Sequence, residues 1–257
     1  MSTKPTLALP DRLNMTGRRV LITGGASGMG QATALILAEM GAEVVIADIQ
    51  PATRTLDLLA EKGLTATAMQ GNLADDAFVD SLIAAGPWFA LAHCAAIFKP
   101  PADMDPVEGF ELLMRINVRA SQRLATGVIE GMAARREGFV VMVGSAAGQN
   151  GGIMTDNNER YYAEYAASKG GMHTLVKWLA RRAVKHNVLV NGIAPGLVTS
   201  PLNANAGIVF TPENFFMPLG RPGEPVDLGW PIAMLCTPAA SFICGVVLDV
   251  NGGSYVP

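Results

Sequence analysis

In the segment RYYAEYAASKGG, residues 160–171, three tyrosines compete, and only Tyr165 is followed four residues later by a lysine, Lys169. On a helix, positions i and i+4 share a face, so the Lys169 ammonium can approach the Tyr165 phenol and favour its ionised form. A phenol tuned in this way exchanges protons readily near neutral pH. A solvent-facing Tyr and Lys one turn apart would show the same spacing, so the pair alone does not define a site.

The stretch LITGGASGMG, Leu21 to Gly30, offers a second component. Gly24, Gly28 and Gly30 lie between a strand ending near Thr23 and a helix opening near Met29. In that context a glycine turn brings backbone N–H groups and a helix N-terminus against a pyrophosphate. The spacing is GxxxGxG, and by itself it equally describes a tight strand-to-helix turn. Asp48 ends the next strand, eighteen residues after Gly30, where a carboxylate can accept hydrogen bonds from both ribose hydroxyls of an adenosine. A 2′-phosphate would meet like charge there, and no cation follows until Arg54, so NAD is expected over NADP.

Elements must place these residues. Short β-rich apolar runs alternate with helical patterns: RRVLITG, AEVVIAD, TATAMQ, FALAHCAA, GFVVMVGS, VLVNGIAPG and GVVLDVNGG are the strands. Long helices are expected around Phe110 to Met132 and Tyr165 to His186. Parallel strands need long crossovers, so this order predicts an α/β fold, a single-domain Rossmann-like, doubly wound parallel sheet with helices on both faces. No Pro/Gly/Ser linker divides the chain. The expected organisation is one nucleotide-binding domain over residues 1–257, with an N-terminal arm at 1–16.

The 257 residues are 50% hydrophobic and only 16% charged, against roughly 25% charged in an average soluble domain, which points to extra burial, in a thick core or between subunits of an oligomer. A net charge of −3 gives no field for a phosphate backbone, so nucleic acid is not an expected partner. Cys94, Cys236 and Cys244 form neither a disulfide framework nor a CxxC pair, which fits a reducing cytoplasm. The first fourteen residues lack an apolar run suited to a signal peptide. Leu228 to Leu248 carries no charge over 21 residues, about the length of a membrane span. Pro231, Pro238 and the TPAAS break divide it, so it is expected as a helix, a turn and a buried strand, with no membrane partner.

Taken in order, TGGASGMG at Thr23 to Gly30, Asp48, Asn72 with Leu73, Asn117 in RINVRA, Ser145 in VMVGSAAG, YAASK at Tyr165 to Lys169, NGIAPGLVTSP from Asn191 and the closing VNGGSY resemble the short-chain dehydrogenase/reductase family, from about Gly17 to Tyr255. The resemblance implies a catalytic set of Asn117, Ser145, Tyr165 and Lys169. Ser145 would hydrogen-bond the substrate oxygen and Tyr165 would exchange its proton. Lys169 would lower the tyrosine pKa and hold the nicotinamide ribose, and Asn117 would fix a water linking Lys169 to solvent. It also implies cofactor contacts from Gly24, Ser27, Gly28, Met29, Gly30, Asp48, Ile49, Asn72, Leu73, Cys94, Ala95, Ala96, Tyr165 and Lys169. Further contacts would come from Pro195, Gly196, Val198 and Ser200.

Three departures stand out. The family's NNAG is HCAA at His93 to Ala96; His93 is expected as a core histidine satisfied by backbone, because His173 and His186 show no ligand spacing with it and no metal is expected. Ala96 in place of glycine would crowd the cofactor ribose slightly. Asn72 replaces the usual Asp beside the adenine, and its amide oxygen can still accept there. The interval from Ser145 to Tyr165 is longer than usual, the extra length lying in an insertion at 149–160. Ile153 or Met154 of that insertion, or Tyr161 or Tyr162 just after it, are expected to shape a substrate pocket, together with Ala147, Leu197, Phe210 and Phe215.

The loop at 197–220 holds no Lys or Arg, only the carboxylate Glu213, and Ile208, Val209, Phe210, Phe215, Phe216 and Met217 for an apolar wall. An anionic substrate would want a cationic clamp. The expected activity is therefore NAD-dependent interconversion of a neutral, fairly apolar secondary alcohol and its ketone. The alternatives are an NADPH-dependent 3-oxoacyl-acyl-carrier-protein-type ketoreductase and a non-catalytic nucleotide-binding regulator.

Overall fold

Seven strands form one all-parallel sheet in the order β3-β2-β1-β4-β5-β6-β7. They are β1 (Arg19–Thr23), β2 (Glu43–Asp48), β3 (Ala66–Gln70), β4 (Ala90–His93), β5 (Gly138–Val143), β6 (Val188–Pro195) and β7 (Val247–Val250). The structure is a computed structural model and describes residues 9–152, 162–205, 210–211 and 216–256.

The central strands read as mainly apolar runs because both of their faces are covered. Along β1, Val20 and Ile22 pack to one side with Ala34 and Leu37 of α2 (Gly28–Glu39) and Leu228 and Ile232 of α10 (Pro225–Leu235). Leu21 points to the opposite side. There Leu82 of α4 (Asp76–Ala84), Leu124 and Val128 of α6 (Ser121–Arg135), and Met172 and Val176 of α8 (Tyr162–Ala183) cover the sheet. The remaining helices are α1 (Leu9–Leu13), α3 (Thr53–Glu61), α5 (Pro106–Met114), α7 (Ala147–Asn150) and α9 (Pro201–Asn205).

The strand order reverses between β1 and β4, so their C-terminal ends open a crevice, the place where ligands sit in sheets of this kind. The long helix expected around Phe110 to Met132 is two helices, α5 and α6, joined by a wide π turn at Arg115–Ala120 that contains Asn117. Such turns cost regular hydrogen bonding and recur at functional sites.

Two expectations need correction, and the N-terminal arm gains local detail. Residues 9–13 of the N-terminal arm are helical, and Arg12 docks by donating to the Pro238 carbonyl at 3.0 Å and the Ser241 hydroxyl at 2.9 Å. The uncharged stretch does become a helix, a turn and a strand, but Pro231 lies within α10 and the helix ends at Leu235. Its strand β7 is not buried, since it closes the sheet edge with Leu248 37% exposed. Among the described residues no helix is long and apolar enough to cross a membrane.

Candidate active site

The glycine turn closes against the loop after β4. Gly24 has φ of +70°, and a Cβ there would lie 2.8 Å from the Ala95 nitrogen. A Cβ on Gly30 would lie 2.2 Å from the Gly24 carbonyl oxygen. Ser27, at the N-cap of α2, makes no side-chain capping bond, so the first turn of this helix points its N–H groups outward without one. The cleft in front, about 290 Å³, is lined by Gly24, Ser27, Gly28, Met29, Gly30, Asp48, Ile49, Asn72, Leu73, Cys94, Ala95, Ala96 and Ser200. Close backbone, an uncapped helix start and an apolar floor fit a dinucleotide. Gly30→Ala should shift the start of α2 and abolish nucleotide binding in a calorimetric titration, while far-ultraviolet circular dichroism stays native.

The Asp48 carboxylate accepts from the Ala26 nitrogen and the Gln50 nitrogen, each at 2.9 Å, and so ties the glycine turn to the end of β2. Asn72 uses its amide oxygen on the Ala74 nitrogen at 2.9 Å, in the turn that precedes α4. Thr55 of α3 supports the glycine turn by donating to the Gly25 carbonyl at 2.8 Å. These bonds order the cleft without occupying every lone pair of the two side chains.

Beside this cleft lies a smaller hollow of about 70 Å³, and it contains Ser145, Tyr165 and Lys169 together with Pro195, Gly196, Leu197, Val198 and Phe210. Met29, Cys94, Ala96, Ser200 and Leu202 belong to both spaces, so the two are continuous. Tyr165 packs its ring on Phe98, 4.8 Å between centroids, and Ala147 lies in the same apolar cluster. Lys169 is 1% exposed and donates to the Val143 carbonyl at 2.8 Å, with its ammonium 5.6 Å from the Tyr165 ring centroid. Burial lowers its pKa to about 8, because the charged form loses water. The i, i+4 pair is therefore buried and does not face solvent.

Asn117 is fully buried, and its side chain is engaged on both ends. Its Oδ1 accepts from the Ile97 nitrogen at 2.9 Å, while its Nδ2 donates to the Ile97 carbonyl at 2.8 Å and the Ser168 hydroxyl at 3.1 Å. Its carbonyl accepts from the Ser121 hydroxyl at 2.9 Å. His93 is satisfied by hydroxyls and not by backbone: Nε2 lies 2.6 Å from the Ser121 oxygen and Nδ1 2.8 Å from the Thr23 oxygen. Since the Ser121 proton goes to Asn117, the chain runs from Thr23 to Nδ1 of His93, and from its Nε2–H to Ser121. Burial, then the Lys169 charge, holds the imidazole neutral by pushing its pKa to about 3. Cys94 remains a thiol, its pKa pushed up mainly by burial.

The hollow thus brings together Ser145, Tyr165, Lys169, Leu197 and Phe210, while Ala147 does not line it and lies in the apolar cluster of Tyr165. Ile153, Met154, Tyr161 and Phe215, and the side chain of Tyr162, lie outside the described residues, as do Ile208, Val209 and Glu213. Phe216 and Met217 line a different hollow, with Leu219 and Arg221, and do not join this wall. Phe98 and Asn203 line the hollow and were not anticipated; nor was His173, which does not line it but accepts from the Ser145 nitrogen, and whose place four residues beyond Lys169 could have revealed it. Among the described residues no three His, Cys, Asp or Glu side chains come together as metal ligands.

A family model described as enoyl-(acyl carrier protein) reductase matches residues 24–255. The chain is 30% identical to the 3-oxoacyl-(acyl-carrier-protein) reductase FabG of Vibrio cholerae, over 95% of this chain and 100% of that one. It is 31% identical to the 7alpha-hydroxysteroid dehydrogenase of Escherichia coli, over 95% and 96%. Among solved structures, a 3-oxoacyl (acyl-carrier-protein) reductase from Agrobacterium tumefaciens C58 with NADP bound superposes with a TM-score of 0.82 at 27% identity, covering 96% of this chain and 98% of that one. The family match over residues 24–255 and the 30% identity along nearly the whole of both chains have one reading: this protein belongs to the short-chain dehydrogenase/reductase family of oxidoreductases.

Proposed function

We propose that this enzyme interconverts a neutral, fairly apolar secondary alcohol and its ketone with NAD(H). The observation that carries the reading is the convergence of Ser145, Tyr165 and buried Lys169 in one small hollow continuous with the nucleotide cleft. Bound nicotinamide supplies the hydride acceptor in oxidation and the donor in reduction. In oxidation, the Tyr165 oxygen takes the hydroxyl proton as the carbon–hydrogen bond yields its electron pair, and in reduction it returns that proton. The Ser145 hydroxyl donates to the substrate oxygen and stabilises the charge that develops on it. Lys169 would favour the phenolate and would hold the nicotinamide ribose when the cofactor is bound, and Asn117, bound at both ends to Ile97 and to Ser168, keeps the π turn in place.

The choice of NAD rests on Asp48, together with the absence of any Lys or Arg among the described residues lining the nucleotide cleft. A second reading, an NADPH-dependent reductase of acyl thioesters, is favoured by the named activity of the Vibrio relative and by the NADP in the Agrobacterium structure. The test is initial rates with NAD and NADP side by side, on apolar secondary alcohols and, in reverse, on an acetoacetyl thioester. NAD turnover at least tenfold above NADP, with Asp48→Ala raising the KM for NAD about tenfold through loss of charge-assisted hydrogen bonds, is the expected result. A preference for NADP would establish the second reading.

The hollow holds no arginine, and Lys169 is its only cation among the described residues, which supports a neutral substrate. Val107 and Phe110 on α5 and Trp178 on α8 leave apolar surface open, which supports assembly through these helices into a dimer or tetramer.

A further inference from the structure

Tyr165, Lys169 and His173 follow one another at four-residue intervals and share one face of α8. His173 is 7% exposed, and its Nε2 accepts a hydrogen bond from the backbone nitrogen of Ser145 at 3.3 Å. On the other side of Gly144, Lys169 donates to the Val143 carbonyl. Gly144 itself must lack a side chain, because a Cβ there would lie 2.2 Å from the His173 Nε2.

The need for this contact follows from the sheet. Beyond the end of β5, the Gly144 nitrogen donates to the Ile193 carbonyl at 2.8 Å and the Ala146 nitrogen to the Pro195 carbonyl at 2.9 Å, both on β6. In a parallel ladder alternate residues face opposite neighbours, so the Ser145 N–H turns toward β4. That strand has already ended, its last pair with β5 being His93 with Met142. A part-buried N–H with no strand partner is costly, and the imidazole supplies the acceptor.

We propose that His173 is a positioning residue: it holds the Ser145 backbone by its N–H and, with Lys169 on the Val143 carbonyl, clamps the strand end so that the Ser145 hydroxyl faces the substrate oxygen. The inference rests on the role given to Ser145 under the proposed function. Because Nε2 accepts, the ring proton resides on Nδ1. Burial, followed by the charges of Lys169 and Lys177 and opposed by Asp249, lowers the ring's pKa to about 4, so the accepting, neutral form is the one present at neutral pH.

The test is a double-mutant cycle on His173 and Ser145, with both Leu and Gln at position 173. His173→Leu fills similar space without an acceptor and should lower kcat about tenfold, the kinetic equivalent of one lost hydrogen bond, with nucleotide Kd unchanged. His173→Gln, whose amide oxygen can accept the same N–H, should recover most of the rate. In a Ser145→Ala background His173→Leu should cost nothing further. An equal loss in that background, or a Gln variant as poor as the Leu variant, would show that the ring only fills space and would overturn the proposal. Should Ser145→Ala itself retain wild-type kcat, the catalytic role of Ser145 fails, and the clamp is judged by Ser145 amide exchange. Faster exchange in the Leu variant alone upholds the clamp; unchanged exchange in both removes it.

Discussion

Tyr165→Phe is expected to lower kcat about 10³-fold, the middle of the range for loss of a positioned general acid–base, while nucleotide affinity changes by less than threefold. The phenol is nearly buried, 8% exposed, and its ring is held by Phe98, so phenylalanine preserves the packing and removes only the oxygen. The thermal midpoint of the two proteins separates a chemical loss from a folding one. The rate is read as reduced-nicotinamide absorbance under saturating cofactor and alcohol. A variant that still turned over at the wild-type rate would transfer the proton role elsewhere, or leave the chain a nucleotide-binding regulator.

Lys169→Met should lose activity about 10²–10³-fold and yet raise stability at neutral pH, a combination that an ordinary structural lysine would not show. The ammonium lies in the core, and its pKa falls from 10.5 to about 8, which corresponds to a folding cost of about 3 kcal/mol while the group stays charged. Methionine has similar volume and no charge, but it leaves the Val143 carbonyl without its donor, a loss of about 2 kcal/mol. The net gain is about 1 kcal/mol, or roughly 2–4 °C in thermal midpoint for a chain of this size. The sign follows from proton counts. Below pH 8 folded and unfolded lysine are both charged and the cost is fully present. Between pH 8 and 10.5 the unfolded chain binds more protons, so wild-type stability rises relative to the variant. Urea unfolding of both proteins from pH 7 to 10 checks this, and a gap that fails to narrow across that window would contradict it.

What the sequence by itself determined is whatever local periodicity and spacing can encode. Both-face burial makes β1, β4, β5 and β6 mainly apolar, β6 with Asn191 in its middle, so the strands and the alternation that makes them parallel were legible, as were the glycine turn, Asp48 and the i, i+4 spacing of Tyr165 and Lys169. Tertiary structure alone decided how these residues are partnered. Whether Tyr165 and Lys169 face water or core is invisible in a spacing of four, and the answer, a lysine 1% exposed, sets both its pKa and its use. His93 reaches Ser121 across 28 residues, and His173 reaches Ser145 across the same interval. Such contacts depend on where β4 ends and on the π turn that carries Asn117, which are properties of the assembled sheet and its helices. An orphan N–H at the end of β5 exists only once the neighbouring strand has left, and the residue that satisfies it is chosen by the face α8 presents there.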